Sequence, residues 1–167
     1  GAADTAKRWP EACFAELCDA LVRTAGVKIV LVGDQQDRAA AVNIGGLMQA
    51  PAVNLCGEVS LTQLAVILEK SCLAVVNDSA VMHLASYLDV PTLAVFGPTD
   101  PRRYGPWSGQ SWVLEKKSAC PACQGRPGAA GHNCLAAVSA ADALEVLTIR
   151  DGRALFHPAP QLQGEPV

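Results

Sequence analysis

Cys72-Leu73-Ala74-Val75-Val76-Asn77-Asp78-Ser79-Ala80-Val81-Met82-His83 is the stretch on which the fold turns. Five apolar residues stop at three polar ones, and apolar residues then return at helical spacing. An unbroken apolar run of that length reads as a strand buried on both faces. A helix over 78–88, opening within two residues of the strand, makes this the strand–turn–helix unit of a parallel sheet. Upstream, Lys28-Ile29-Val30-Leu31-Val32-Gly33 is a second β-branched run ending in glycine, and Val53-Asn54-Leu55 a brief third. Helices are expected over 10–25, stopped by Gly26, and over 35–48, ending at or just past Gly45-Gly46. Ser60 reads as the N-cap of another, with Gln63 at the capping-box position. Downstream, 92–96 is a strand cut off by Gly97-Pro98, Ser111–Leu114 a short strand, and 139–147 a closing helix with Ser139 as cap and Asp142 three residues later. Strands alternating with helices give an α/β domain with a doubly wound parallel sheet over residues 1–150. A Cys/Pro/Gly-rich loop occupies 97–135, and 151–167 is a C-terminal tail that frays beyond His157.

The 167 residues suffice for one ordinary domain. Half the chain is hydrophobic and 17% charged, which excludes disorder. Thirteen basic residues against sixteen acidic ones, net charge -3, argue against sequence-blind nucleic-acid binding. Aromatics at 5% argue against a base-stacking platform. Apolar runs such as 72–76 stop far short of the roughly 18 residues a membrane span requires. The opening Gly1-Ala2-Ala3-Asp4 reads as a mature or cut N-terminus and not as a signal peptide.

Seven cysteines are unevenly spread. Cys13, Cys18, Cys56 and Cys72 read as small core residues of a cytosolic protein. Cys120-Pro121-Ala122-Cys123 with His132-Asn133-Cys134 has the makings of four zinc ligands, but His132 and Cys134 are too close for a standard second knuckle. The expectation is no metal, with these thiols serving the loop's own packing. A thioredoxin-like motif is disfavoured, because the Cys-x-x-Cys sits late in a loop.

In open α/β sheets ligands collect at the carboxyl ends of strands, where helix N-termini aim free N–H groups outward. The amides of Ser79, Ala80 and Val81 would face such a ligand, and the Ser79 hydroxyl would join them. A phosphate suits that place. His83 lies one turn on. The plainer alternative stands beside this one: Asp78 or Ser79 as a simple N-cap and His83 as a satisfied core histidine. Thr99, Asp100 and Arg102 also leave a strand on the ligand side. They would face a second substrate, or form a Pro-rich turn with Thr99 or Asp100 capping a short helix at Pro101; Asp-Pro favours the cap for Asp100. Trp107 and Trp112 read as packing residues.

The blocks Asn77-Asp78-Ser79-Ala80-Val81-Met82-His83-Leu84-Ala85, Val90-Pro91-Thr92 and Phe96-Gly97-Pro98-Thr99-Asp100-Pro101 resemble the donor-site region of glycosyltransferase family 9, which includes the ADP-heptose:lipopolysaccharide heptosyltransferases. Lys7-Arg8-Trp9-Pro10 and Asn54-Leu55-Cys56-Gly57 with Ser60-Leu61 are similar to further blocks of that family, and the order is kept from Lys7 to Leu147. The resemblance implies the C-terminal, Rossmann-like half of a GT-B enzyme, which binds the nucleotide-sugar donor. It implies Lys7 against the donor diphosphate, Asp78, Ser79, Ala80 and Val81 along phosphate and sugar, and His83 and Thr99 in the same pocket. An inverting transfer of heptose to a lipopolysaccharide core acceptor follows, with the N-terminal acceptor domain and its general base outside this chain. No catalytic residue and no cofactor is therefore expected within it. GT-B enzymes commonly work without a metal, and Lys7 with the helix dipole supplies the positive potential. A cytoplasmic place is implied, at most peripheral at the inner face of the bacterial inner membrane. Two departures stand out. The family usually has glycine where Ala80 stands, and a methyl narrows the backbone's approach to a donor. It also commonly places an acidic residue after the second strand to hold the ribose, for which Asp34 and Asp37 both offer themselves. The rival classes are a non-catalytic nucleotide- or sugar-binding module and a zinc- or thiol-based protein resting on Cys120, Cys123 and Cys134.

Overall fold

The computed structural model describes residues 2, 4–116 and 134–156, and within them helices and parallel strands alternate. Helix α1 (Glu11–Ala25) starts after Pro10, whose fixed φ suits a helix entrance. It leads into β1 (Ile29–Leu31), then a 3-10 turn Gln35–Asp37 and α2 (Arg38–Leu47), then β2 (Ala52–Asn54). Helix α3 (Leu61–Glu69) carries the expected capping box: the Ser60 hydroxyl accepts from the Gln63 amide, and the Gln63 side chain accepts from the Ser60 amide. Strand β3 (Ala74–Asn77), α4 (Ala80–Tyr87), β4 (Thr92–Val95), α5 (Pro101–Tyr104), β5 (Ser111–Leu114) and α6 (Ala140–Val146) follow, and β6 (Leu147–Arg150) with β7 (Arg153–Phe156) closes the described chain.

Strand β4 is buried along its whole length between β3 and β5, and both pairings are parallel. Alternation along it feeds two cores. Leu93 and Val95 pack with Trp9, Leu17, Leu21, Leu135 and Val146 on the side of α1 and α6. Ala94 and Phe96 pack with Leu68, Val76, Met82 and Ala85 on the side of α3 and α4. Asn77 is level with Val95, so the segments that leave β3 and β4 emerge side by side at one edge. That shared edge positions the site.

Two expectations are corrected. Cover on both faces holds for β3 and β4 but not for β1 and β2, which form a separate parallel pair. The cross-strand partners Val30 and Val53 are 41% and 55% exposed. Helix α2 packs on β2, and α3 packs along α4. A cavity of about 650 Å³ lies between β1 and β3, lined by side chains such as Leu31, Val32, Ile67 and Val75. The expected tail differs as well. Residue 150 was the expected edge of the domain, yet β6 and β7 form an antiparallel hairpin across it. Asp151 and Gly152 turn it at φ 51° and 71°, the paired left-handed geometry that a two-residue Asp-Gly hairpin turn adopts.

Candidate functional site: the strand ends around Asp78

The N-terminal arm is tied across the ends of the strands. Asp4 caps the 3-10 turn Thr5–Lys7 by accepting from the Ala6 amide. Trp9, fully buried, donates its backbone N–H to Asn77 Oδ1 at 3.0 Å and its indole N–H to the Val138 carbonyl at 2.8 Å. Its ring meets Phe14 edge-on. Gly97 lets the arm come close: a Cβ there would lie 3.1 Å from the Ala6 carbonyl oxygen and 3.0 Å from Leu135. The arm thus sits directly over the exit of β4.

Held this way, Lys7 reaches Asp78. Its Nζ lies 2.8 Å from Asp78 Oδ2, and the Thr99 hydroxyl donates to the same oxygen at 2.7 Å. Asp78 is 8% exposed and Lys7 27%. A carboxylate this buried requires partners for its charge, and an ammonium and a hydroxyl provide them. Asp78 is therefore not a simple N-cap. Ser79 holds the cap position in extended conformation, and its side chain makes no capping bond. Ala80 is the exposed first residue of α4 and Val81 the half-buried second. The first amides of a helix have no intrahelical carbonyl to meet, so this end of α4 offers donors beside an ammonium.

His83 departs from the satisfied core histidine. Its Nδ1 is buried with no hydrogen-bond partner among the described residues, and its ring stacks on Trp107, centroids 5.2 Å apart and planes 19° from parallel. Trp107 is 65% exposed, so the packing reading is corrected for it; Trp112 does pack against the core. Asp100 caps α5 by accepting from the Arg102 amide, and its carboxylate also grips the Arg102 guanidinium. Asp34 and Asp37 build a capping box around the turn at 35–37. Cys56 is buried, and Cys13, Cys18 and Cys72 are half-buried. Burial, with the Asp19 charge behind it, pushes the Cys18 thiol up to about 11. Cys120, Cys123 and His132 lie outside the described residues, whereas Cys134 is buried at the start of a 3-10 turn. Among the described residues no group of three or more His, Cys, Asp or Glu is placed to hold a metal, and no helix is long and apolar enough to cross a membrane.

The arrangement brings together Lys7, Asp78, Thr99 and the start of α4, with His83 one turn further along. Asn77 and Trp9, which hold the arm in place, were not singled out from the sequence. The available signal was a polar side chain at the end of a buried strand, next to the two residues that were. The cavity between β1 and β3 meets this region at Asn77, Ser79 and Val81, while Lys7, Asp78 and Thr99 are not among its lining.

A family model described as Glycosyltransferase family 9 (heptosyltransferase) matches residues 1–133. The chain belongs to glycosyltransferase family 9. Lipopolysaccharide heptosyltransferase 2 of Salmonella typhimurium is 41% identical over 114 residues, covering 65% of this chain and 32% of that protein. Its Escherichia coli K12 counterpart is 40% identical over the same shares. The solved ADP-heptose lps heptosyltransferase II of E. coli superposes with a TM-score of 0.75 at 31% identity, over 87% of this chain and 42% of that one. E. coli heptosyltransferase WaaC, solved with ADP, superposes at 0.67 with 25% identity, over 86% and 40%. This family 9 chain spans about a third of the length of the curated relatives it matches. Its α/β architecture with parallel strands is that of the GT-B heptosyltransferases.

Proposed function

We infer that this chain is the donor-binding unit of an inverting glycosyltransferase. It holds a nucleoside-diphosphate sugar of the ADP-heptose kind while the sugar passes to a lipopolysaccharide core acceptor. The cluster of Lys7, Asp78 and Thr99 beside the N-terminus of α4 carries this reading. An ammonium has three donors, and Asp78 takes one of them, leaving two for phosphoryl oxygens. Asp78 thereby acts as a fixed post that aims Lys7. The amides of Ser79, Ala80 and Val81 add dipoles that need no rearrangement as charge builds on the departing diphosphate. His83 and Thr99 complete the wall. The unit runs from the N-terminal arm through the β6–β7 hairpin.

The base that deprotonates the acceptor hydroxyl comes from the N-terminal acceptor half, which faces this unit across a cleft. Lys7 and helix dipoles stabilise a leaving group but cannot take a proton from a nucleophile. The work is done at the cytoplasmic face of the membrane, with at most peripheral attachment. A radiolabelled transfer assay on the complete two-domain protein tests this. Lys7→Ala should lower turnover on the order of 100-fold by removing charge stabilisation of the diphosphate. Unchanged turnover would overturn the role of Lys7, and transfer by the 167-residue chain alone would show that a base lies within it.

A further inference from the structure

Trp107 is a large, exposed aromatic held in a built position. Ser86, buried on α4, accepts the backbone N–H of Trp107 and that of Ser108 with its hydroxyl, both at 2.9 Å. One turn below, Asp89 accepts from the Ser108 hydroxyl and from the Gln110 side-chain amide. None of these bonds involves the indole. The loop from α5 to β5 is thus fixed to α4 by its backbone and polar side chains, and the indole, free of that duty, lies on His83. The 5.2 Å, nearly parallel stack is the offset geometry that aromatic rings favour.

The covered imidazole has a buried Nδ1 without a partner among the described residues. A neutral imidazole carries its proton on one nitrogen and a lone pair on the other. A proton on Nδ1 would be an orphaned buried donor, a rarer and costlier condition than an under-used acceptor. The proton therefore belongs on Nε2. His83 stands four residues after Ser79, on the same face of α4.

We propose that Trp107 is a positioning residue: its indole clamps the His83 ring in the tautomer that presents Nε2–H as a hydrogen-bond donor to an oxygen of the ligand at the start of α4. This rests on the donor-site reading for the identity of that ligand, a nucleoside diphosphate or its sugar. The clamp itself is made by residues of this chain alone.

The test is a long-range proton–nitrogen correlation spectrum of the histidine-labelled chain at pH 8, well above the ordinary imidazole value of about 6.5. His83→Gln assigns the signals among the three histidines. His83 should show the Nε2–H tautomer. Trp107→Ala keeps the backbone N–H that Ser86 accepts, so the thermal midpoint should stay in place, yet the tautomers should mix and ADP should bind about threefold or more weakly. Trp107→Phe should restore both readings. A wild-type His83 protonated on Nδ1, or a Trp107→Ala spectrum identical to wild type, overturns the clamp. Mixed tautomers with unchanged ADP affinity, while Lys7→Ala still weakens binding, overturn its role toward the ligand and leave the donor site standing. A wild-type chain that binds no ADP overturns the donor-site reading itself, and with it the ligand half of the proposal.

Discussion

Lys7, Asp78 and Thr99 are joined through a single carboxylate oxygen, and the consequences of cutting each link differ. Lys7→Met removes the ammonium but leaves Asp78 buried, so urea unfolding should show a loss of about 1–3 kcal/mol. Lys7→Arg should recover part of that stability without restoring the geometry, since a planar fork is not a point charge. Trp9→Phe deletes the donor to the Val138 carbonyl and should cost about 1–3 kcal/mol, again read by urea. The same change should loosen the arm and weaken whatever Lys7 binds. Lys7 and Asp78 were legible because each lies in a block with a recognisable pattern. Asn77 and Trp9 were hidden in those blocks as neighbours, because which residue anchors and which contacts a ligand depends on a crossing between distant segments that spacing along the chain does not encode.

Helix entrances were the most legible elements, since a capping box is written in four consecutive residues. Ser60 with Gln63 and Ser139 with Asp142 both form as their spacing predicts. Ser60→Ala should cost about 1 kcal/mol of stability in a denaturant titration. Gly57 carries a stricter demand: it sits at φ 75°, and a Cβ there would come 3.0 Å from the Gln35 backbone as well as meeting its side chain. Gly57→Ala should destabilise by more than about 1 kcal/mol, and an unaffected midpoint would mean the turns after β1 and β2 do not clasp as described. The β6–β7 hairpin is written just as locally. Arg150-Asp151-Gly152-Arg153 contains the strongest short hairpin signal, the Asp-Gly pair, and the segment from 151 on forms the turn and β7 where a tail was expected.

Across the whole molecule, alternation of apolar runs with helices was enough for the α/β class. It did not reveal that β1 and β2 stand apart from β3, β4 and β5, because an apolar run shows that a strand seeks cover and not which helix supplies it. Acid sensitivity is also a property of the whole. Asp19 lies below its ordinary value of 3.8 because it accepts the Gln49 and Ala50 amides, and Asp89 because of the Ser108 and Gln110 side chains. For Asp142 burial pushes upward, but the Lys116 ammonium and Ser139 outweigh it. Lowered carboxylates bind fewer protons folded than unfolded, so their stabilisation is full above 3.8 and is lost as pH falls through the folded values. The urea midpoint should therefore hold from pH 7 to about 5 and drop below about 4. The central claim is that Lys7, Asp78, Thr99 and the start of α4 form the phosphate end of a nucleotide-sugar site, and titration calorimetry of ADP into the 167-residue chain tests it most directly. On the proposed reading this unit supplies one wall of the cleft, so binding should be micromolar to millimolar, about -8 to -4 kcal/mol, and Lys7→Ala should weaken it about tenfold or more. No heat of binding at several times a millimolar ADP, or equal affinity in Lys7→Ala, would contradict it.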